Sequence, residues 1–170
     1  MNLNGRARVF GDDVNTDYVI SSARKRASID ASTLAAFLFE SIAPGFADSI
    51  QAGDILVAGR NFGCGSAMEV AATVIQAAGI RAVLAKSFSR SFYRNAINNG
   101  LLVVECDTSP VTEGDQLAIA LMENASVVRD LTRGLELHGA PLPAIMLRIL
   151  SAGGLVGFLR EHRGWNEPTA

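Results

Sequence analysis

The run Gly63-Cys64-Gly65-Ser66 has the residue types that bring a reactive hydroxyl close to a small anion. Glycines let a backbone approach an anion, and the amide groups at the start of a following helix attract negative charge. Ser66 with Glu69 three residues later also fits a capping box, in which the two side chains satisfy free amide groups of the helix. The two interpretations are compatible, because one hydroxyl can cap a helix in one state and face a ligand in another. No Gly-Lys-Ser/Thr closes the loop, so it is not a phosphate-binding P-loop.

Two arginines, Arg90 and Arg94, lie one helical turn apart in a second segment, and Lys86 precedes them. Positive charge near the start of a helix opposes the helix dipole, so helix stability does not explain their position. Binding a carboxylate or a phosphate would explain it, since guanidinium groups pair with both. The alternative, that the two arginines are solvated or pair with acidic residues elsewhere, stays open.

The remaining polar groups are weaker candidates by themselves. Asn15-Thr16-Asp17 follows a turn signal and indicates an ordinary Asx loop, and Arg24-Lys25-Arg26 is a basic cluster of the kind common on solvated surfaces. Neither Cys64 nor Cys106 belongs to a Cys-x-x-Cys pair, and the two histidines lack ligand spacing. We therefore expect no metal site and no disulfide framework in this chain.

Alternating strands and helices position the two loops. The apolar run at 54–58, bounded by glycines, predicts a buried strand, and the chain after it predicts a helix over 66–78, a strand over 82–85, a helix to about 98 and a strand over 101–105. This order with short connections predicts a parallel βαβαβ core with right-handed crossovers. Both polar loops then leave the carboxyl ends of neighbouring strands, where open α/β sheets bind ligands, so we expect them to lie side by side.

The flanking segments are less regular. We predict a strand-like stretch opening residues 9–21, a helix over 29–40, a β pair from 114–120 and 126–137, and helical structure over 142–160 that Gly153-Gly154 interrupts. No repeat or linker divides the chain, which predicts a single domain over 1–170.

Composition excludes several classes of protein. The 170 residues are 49% hydrophobic and 19% charged, which excludes a disordered chain. A net charge of -2 argues against a nucleic-acid partner, and no apolar run reaches the ~20 residues that span a bilayer, so we expect no membrane partner. The first residues lack the layout of a signal peptide, and a cytoplasmic location is the expectation.

Four segments together resemble the small subunit of 3-isopropylmalate dehydratase, the swivelling domain of the aconitase superfamily. They are GDDVNTD at 11–17, GDILVAGRNFGCGS at 53–66, AKSFSRSFYRNAINNGL at 85–101 and ILSAGGL at 149–155. The resemblance covers nearly the whole chain, and the second and third segments are specific to the family.

The resemblance implies a three-layer β/β/α swivelling fold and only half of an enzyme. The large subunit of the family carries a [4Fe-4S] cluster on its own cysteines, so it implies a large-subunit partner and no cofactor in this chain, with Cys64 and Cys106 not acting as cluster ligands. The implied reaction is dehydration and rehydration of a small hydroxy-acid, which moves the hydroxyl to the adjacent carbon. In leucine biosynthesis it converts 2-isopropylmalate to 3-isopropylmalate.

The resemblance also implies roles for individual residues. The serine matching Ser66 is the base, acting as an alkoxide, and the aspartate matching Asp17 assists proton handling. A basic residue of the Arg24–Arg26 stretch is expected to reach the substrate. The candidate substrate-binding residues are Gly65, Arg24, Arg26, Arg90, Arg94 and Met68.

The chain departs from the family pattern immediately after Ser66. The family reads Gly-Ser-Ser-Arg-Glu-His, whereas this chain has Ala67, Met68 and Val70 in place of the second serine, the arginine and the histidine. A methionine cannot hold a carboxylate as an arginine does. Either the substrate differs, or another cation replaces the arginine, or the chain is a non-catalytic module that retained the fold. We favour a different substituted malate or maleate, because Ala67 and Met68 would suit a less polar substituent.

Overall fold

Seven strands form one mixed sheet in the computed structural model, which describes residues 2–122 and 125–162. The strands are β1 (Asn2–Val9), β2 (Ile55–Ala58), β3 (Ala82–Ala85), β4 (Leu102–Glu105), β5 (Gln116–Met122), β6 (Ala125–Asp130) and β7 (Leu135–Gly139). They lie in the order β4-β3-β2-β1-β5-β6-β7. The mixed α/β class predicted from the sequence is confirmed.

The half of the sheet from β1 to β4 is parallel. Ala7 lies opposite Ile55, Ile55 opposite Ala82, and Ala82 opposite Leu102. All residues of β2 and β3 are buried, as expected where helices cover a parallel sheet. The predicted parallel βαβαβ core is therefore confirmed, with its strand ends within one residue of the predicted bounds.

Strand β1 joins the two halves of the sheet, and its prediction was wrong. It ends at Val9, where a strand was expected to begin, and residues 16–19 form a short helix instead. The sequence pattern did not predict β1, because Asn4, Arg6 and Arg8 interrupt the apolar run that is typical of a central strand. A Cβ on Gly5 would lie 2.0 Å from the carbonyl oxygen of Gly53, so this strand passes close to the turn before β2.

The other half of the sheet is antiparallel and curls towards β4. Strand β5 pairs with β1 and β6, and β6 pairs with β7. The run 126–137, predicted as one strand, is divided by a turn into β6 and β7. A bridge between Cys106 and Gly139 then joins the ends of β4 and β7, so the sheet nearly closes into a barrel.

Eight helices pack around this sheet in the described residues. The two that connect parallel strands, α5 and α6, end just before Gly79 and Gly100, whose φ angles are 95° and 81°, as the sequence predicts for left-handed caps. The helix expected over 29–40 is shorter, because turns follow it from residue 36. The predicted interruption at Gly153-Gly154 separates α7 from α8. The helices are α1 (Thr16–Val19), α2 (Ser22–Ala27), α3 (Ala31–Ala35), α4 (Phe46–Ser49), α5 (Glu69–Ala77), α6 (Arg90–Asn98), α7 (Ala144–Ser151) and α8 (Leu155–His162).

A buried carboxylate ties β1 to the start of β2. Asp54 is 2% exposed and accepts hydrogen bonds from Arg6 Nη2 at 2.8 Å and Arg8 Nη1 at 3.2 Å. Burial acts to raise the pKa of Asp54, but hydrogen bonds from Arg6, the amide of Gln51 and Arg8 hold it below its ordinary value. The buried charge is therefore compensated from both sides.

No helix in these ranges is both long and apolar enough to cross a bilayer.

Candidate active site

Three loops meet at the carboxyl edge of the parallel strands. The loop after β2 forms a bridge from Phe62 to Phe88 in the loop after β3, and Phe62 accepts a hydrogen bond from the amide of Ser89 at 2.9 Å. On its other side the same loop forms a bridge from Cys64 to Asn15, which precedes α1. The expectation that the two polar loops lie side by side is confirmed, and the Asn15-Thr16-Asp17 segment joins them.

Two glycines in the loop after β2 are required by close packing as well as by backbone conformation. Gly63 and Gly65 have φ angles of 77° and 86°, which side chains other than glycine rarely adopt. A Cβ on Gly63 would lie 2.3 Å from the Cβ of Phe92, and one on Gly65 would lie 2.3 Å from Oδ1 of Asn15. The glycines therefore allow the loop to press against α6 on one side and against the start of α1 on the other.

A second pair of left-handed residues supports the same loop. Asp13 and Asn61 have φ angles of 54° and 60°, and Nδ2 of Asn61 donates a hydrogen bond of 2.7 Å to Oδ1 of Asp13. Asp and Asn tolerate this conformation better than most residues. Such a concentration of unusual backbone angles is typical of a functional loop.

Buried Thr16 anchors Ser66. Its Oγ1 donates a hydrogen bond of 2.7 Å to the carbonyl of Ser66, and its amide donates to the carbonyl of Cys64 at 2.9 Å. Next to it, the amide of Asp17 donates to Oδ1 of Asn15 at 2.8 Å. These bonds set the relative positions of Ser66 and Asp17.

The side chains of Ser66, Asp17, Lys25 and Met68 form one group, called here the serine cluster. Ser66 Oγ lies 3.4 Å from Oδ2 of Asp17, and Nζ of Lys25 lies 3.6 Å from the other carboxylate oxygen, Oδ1. Lys25 Nζ also contacts the sulfur of Met68. Ser66 is exposed and the Asp17 side chain is 43% exposed, so this cluster opens on the surface of the chain.

The basic residue of the serine cluster is Lys25, and neither neighbouring arginine belongs to it. Arg24 donates three hydrogen bonds to the carboxylate of Glu40, at 2.8, 2.9 and 3.2 Å, and its guanidinium lies 3.6 Å from the ring centroid of Phe37. Arg26 is exposed. Sequence reasoning singled out the arginines, and the signal that identifies Lys25 is its contact with Asp17 across eight residues of chain, which sequence spacing does not reveal.

The capping box predicted at Ser66 is wrong. Helix α5 begins at Glu69, its N-cap is Met68, and Met68 has no side-chain cap hydrogen bond. Ser66 stays outside the helix because tertiary hydrogen bonds hold it: Thr16 binds its carbonyl and Asp17 lies beside its hydroxyl. Its hydroxyl is consequently free of a capping role.

Arg90 and Arg94 line a different cavity of about 290 Å³ at the same sheet edge. They share it with Phe88, Tyr93, Glu105 and Met146, and no residue of the serine cluster lines it. Burial, and secondarily the charge of Glu105, raises the pKa of the Tyr93 hydroxyl. Among the described residues, neither arginine forms a hydrogen bond or an ion pair with a residue of the serine cluster.

The cysteines are not arranged to hold a metal. Burial, followed by the charge of Asp13, raises the pKa of the Cys64 thiol, and burial raises that of Cys106 to about 11. Within residues 2–122 and 125–162, no three His, Cys, Asp or Glu residues come together in a group that could bind a metal ion.

Comparison with known proteins finds relatives that share one name and match nearly the whole chain. The family model for the aconitase C-terminal domain matches residues 43–109. The small subunit 2 of 3-isopropylmalate dehydratase from Archaeoglobus fulgidus is 42% identical over 162 residues, covering 95% of this chain and 97% of the relative. The small subunit 1 from Methanopyrus kandleri is 44% identical, covering 94% of each chain. The crystal structure of 3-isopropylmalate dehydratase from Methanocaldococcus jannaschii superposes with a TM-score of 0.90 at 39% identity, covering 96% of both chains.

Proposed function

The chain belongs to the 3-isopropylmalate dehydratase small-subunit family, and we propose that it acts with a large subunit as a hydro-lyase on a small hydroxy-acid. The proposed reaction removes water from 2-isopropylmalate and adds it back with the hydroxyl on the adjacent carbon, giving 3-isopropylmalate for leucine biosynthesis. The observation that carries the proposal is the 3.4 Å approach of Ser66 Oγ to the Asp17 carboxylate at the carboxyl edge of the sheet.

The reaction needs a base for a proton on carbon next to a carboxylate. We assign this step to Ser66 Oγ, which takes the proton from carbon while its own hydroxyl proton passes to Oδ2 of Asp17. A serine hydroxyl is a very weak acid, so a nearby acceptor and a nearby cation both favour the step. Rehydration reverses the transfers, returning the proton from Ser66 to the other carbon of the double bond. Atoms and charge balance over the cycle.

Departure of the hydroxyl needs a Lewis acid, which a [4Fe-4S] cluster supplies when bound. The residues described for this chain do not fit a cluster: Cys64 is partly buried, Cys106 is buried at the end of β4, and no group of three metal-ligating side chains accompanies either one. We therefore propose that the large subunit holds the cluster.

The exposure of Ser66 and its chain neighbours supports a two-subunit site. Gly65, Ser66 and Ala67 are all exposed, whereas catalysis by charge stabilisation requires that water be excluded. We propose that residues 1–170 act as one swivelling domain of three-layer β/β/α type, which closes these residues over the substrate against the large subunit.

Carboxylate binding by the predicted arginines remains part of the proposal. Arg90 and Arg94 are exposed and could bind a substrate carboxylate only if the closed complex brings their cavity towards the substrate. Arg26 would likewise bind a substrate carboxylate in the closed complex. Arg24 would first have to break its ion pair with Glu40. Replacing each by glutamine and measuring KM in the complex tests these four assignments individually.

The proposal is tested by anaerobic purification with the large subunit and a hydration assay with isopropylmaleate. Ser66→Ala should lower kcat by at least ~100-fold, the range of general-base catalysis, with assembly unchanged. Ser22→Ala is the matched control, because Ser22 Oγ lies 3.4 Å from the other oxygen of the same aspartate. Wild-type activity in Ser66→Ala would contradict the assignment of the base.

A second substrate is favoured by one observation, the replacement of the family arginine by Met68. Assaying other alkyl-substituted maleates in parallel with isopropylmaleate decides which of these acids is the substrate. Turnover of one of these, with isopropylmaleate inert, would assign the chain to a related hydro-lyase. No turnover of any of them by an assembled, cluster-loaded complex would favour a non-catalytic module instead.

A further inference from the structure

The family pattern leaves this chain without its usual positive charge beside the reacting serine. Position 68 holds a methionine, whose sulfur can accept a weak hydrogen bond but cannot neutralise a carboxylate. A substituted malate carries two carboxylates, and each needs a cation or several donors where water is excluded. A cation must therefore come from another residue of the assembled site.

Lys25 occupies the space where that charge is needed. Its Nζ contacts the sulfur of Met68, so the two side chains meet end to end, and it lies 3.6 Å from Oδ1 of Asp17. Its side chain is only 23% exposed, which weakens screening by water. An ammonium group has three donors, and the ion pair with Asp17 leaves it others for a ligand.

The neighbouring arginines do not compete for this position. Arg24 is held by Glu40 and Phe37 on the other side of α2. Among the described residues, no arginine forms a hydrogen bond or an ion pair with Asp17 or Ser66. Lys25 is thus the basic side chain that the fold places in the serine cluster.

Lys25 also lines a cavity of about 230 Å³ with Ser28, Ile29 and Val70. Ile29 is 97% exposed, although a large aliphatic side chain is normally covered. The cavity is several times the ~30 Å³ that one water molecule occupies, so it has room for an alkyl group. A ligand held here would meet an ammonium group and two aliphatic side chains together.

We propose that Lys25 binds a carboxylate of the substrate, replacing the arginine that the family has at position 68. This inference rests on the proposed function. The substrate class it specifies is a dicarboxylic hydroxy-acid with an alkyl substituent, the carboxylate on Lys25 and the substituent against Ile29 and Val70. The ion pair between Lys25 and a carboxylate forms in the ground state as well as in the transition state, so Lys25 acts mainly on KM.

The test compares Lys25→Met with Lys25→Arg in the complex with the large subunit. Lys25→Met should raise KM, and the dissociation constant of 2-isopropylmalate measured by calorimetry, by roughly 10- to 100-fold, with a smaller fall in kcat. Lys25→Arg should restore most of the affinity. Lys86→Met is the matched control, because it removes the chain's other lysine, which pairs with Asp107 at 3.9 Å and is 33% exposed.

Exchanging the two side chains gives an independent test. Met68→Arg alone places a second cation against Lys25 and should not improve affinity, whereas the double variant Lys25→Met with Met68→Arg should recover it. Failure of the double variant to bind better than Lys25→Met overturns the replacement.

The outcomes separate this inference from the proposed function. A KM unchanged by Lys25→Met, or a loss in kcat alone, overturns the role of Lys25 while the hydro-lyase assignment stands. Binding that depends on Lys25 without any turnover supports the carboxylate site and contradicts the catalytic proposal. No binding of 2-isopropylmalate or of any other alkyl-substituted malate to the wild-type complex overturns the site assigned to Lys25.

Discussion

The hydroxyl of Thr16 donates a hydrogen bond of 2.7 Å to the carbonyl of Ser66, fifty residues further along the chain. Thr16 is 1% exposed, so water does not compete for this bond. The bond holds Ser66 in a loop and places its side chain beside Asp17, the next residue after Thr16. A buried threonine thereby sets the geometry of two exposed side chains.

Thr16→Val should therefore damage activity more than stability. The substitution keeps the shape but removes the donor to Ser66, at a cost of about 1 kcal/mol, or a fall in Tm of ~2–4 °C. The displaced serine should lower kcat of the complex by about tenfold or more. Thr73→Val, which removes a hydroxyl bonded to the carbonyl of Val70 at 3.1 Å, should cost similar stability without the loss of kcat. Equal kcat values in the two variants would argue against a positioning role for Thr16.

Gly65→Ala tests the close approach of the loop to Asn15. The new Cβ meets Oδ1 of Asn15 at 2.3 Å, in a backbone conformation that already costs an alanine about 1–2 kcal/mol. Gly114→Ala is matched in φ, at 88°, but nothing lies within 4 Å of its Cβ. Thermal unfolding followed by circular dichroism should show a larger fall in Tm for Gly65→Ala, and only that variant should lose hydration activity. Equal falls in Tm would show that the clash with Asn15 is relieved at little cost.

Acid stability should depend on Asp54. Its pKa in the folded chain lies below the value of about 3.9 expected when unfolded, so its contribution to stability is complete above that value and is lost as pH falls through the folded pKa. The Tm of the wild-type chain should fall steeply below about pH 4. Asp54→Asn should be less stable at neutral pH, because it leaves Arg6 and Arg8 with an uncharged partner, and its Tm should fall less between neutral and acid pH.

Asp48→Asn, which removes an exposed carboxylate from α4, is the control for a simple change in charge. It should keep the wild-type dependence of Tm on pH. A parallel pH dependence for Asp54→Asn and the wild type would show that Asp54 is not the responsible group.

Both cysteines should react slowly with iodoacetamide near neutral pH. Burial raises the pKa of each thiol, that of Cys106 to about 11, and the thiolate is the reactive form. Labelling of the folded chain, read by mass spectrometry, should be slower than that of free cysteine, should rise with pH, and should be slowest at Cys106. In urea both sites should label at the rate of free cysteine. Rapid labelling of Cys64 at pH 7 in the folded chain would contradict the shift.

The sequence alone was sufficient for the parallel core and for the meeting of its loops. The apolar runs of β2 and β3, and the glycines after α5 and α6, are local signals, since burial on both faces and left-handed caps each favour particular residue types. The specific segments around Asp17 and Ser66 are also sufficient to identify the family.

Tertiary structure alone decided which side chains surround Ser66. Local spacing favoured a capping box with Glu69, but hydrogen bonding from Thr16 and the nearby Asp17 carboxylate keep Ser66 outside the helix. Local composition favoured the arginines of the basic stretch, but the ion pair of Arg24 with Glu40 leaves Lys25 to reach Asp17. These hydrogen bonds and ion pairs join residues that are distant in sequence, and they depend on the strand order of the sheet. For the same reason β1 escaped prediction: its polar residues find their partners only once Asp54 and β5 lie on either side of it.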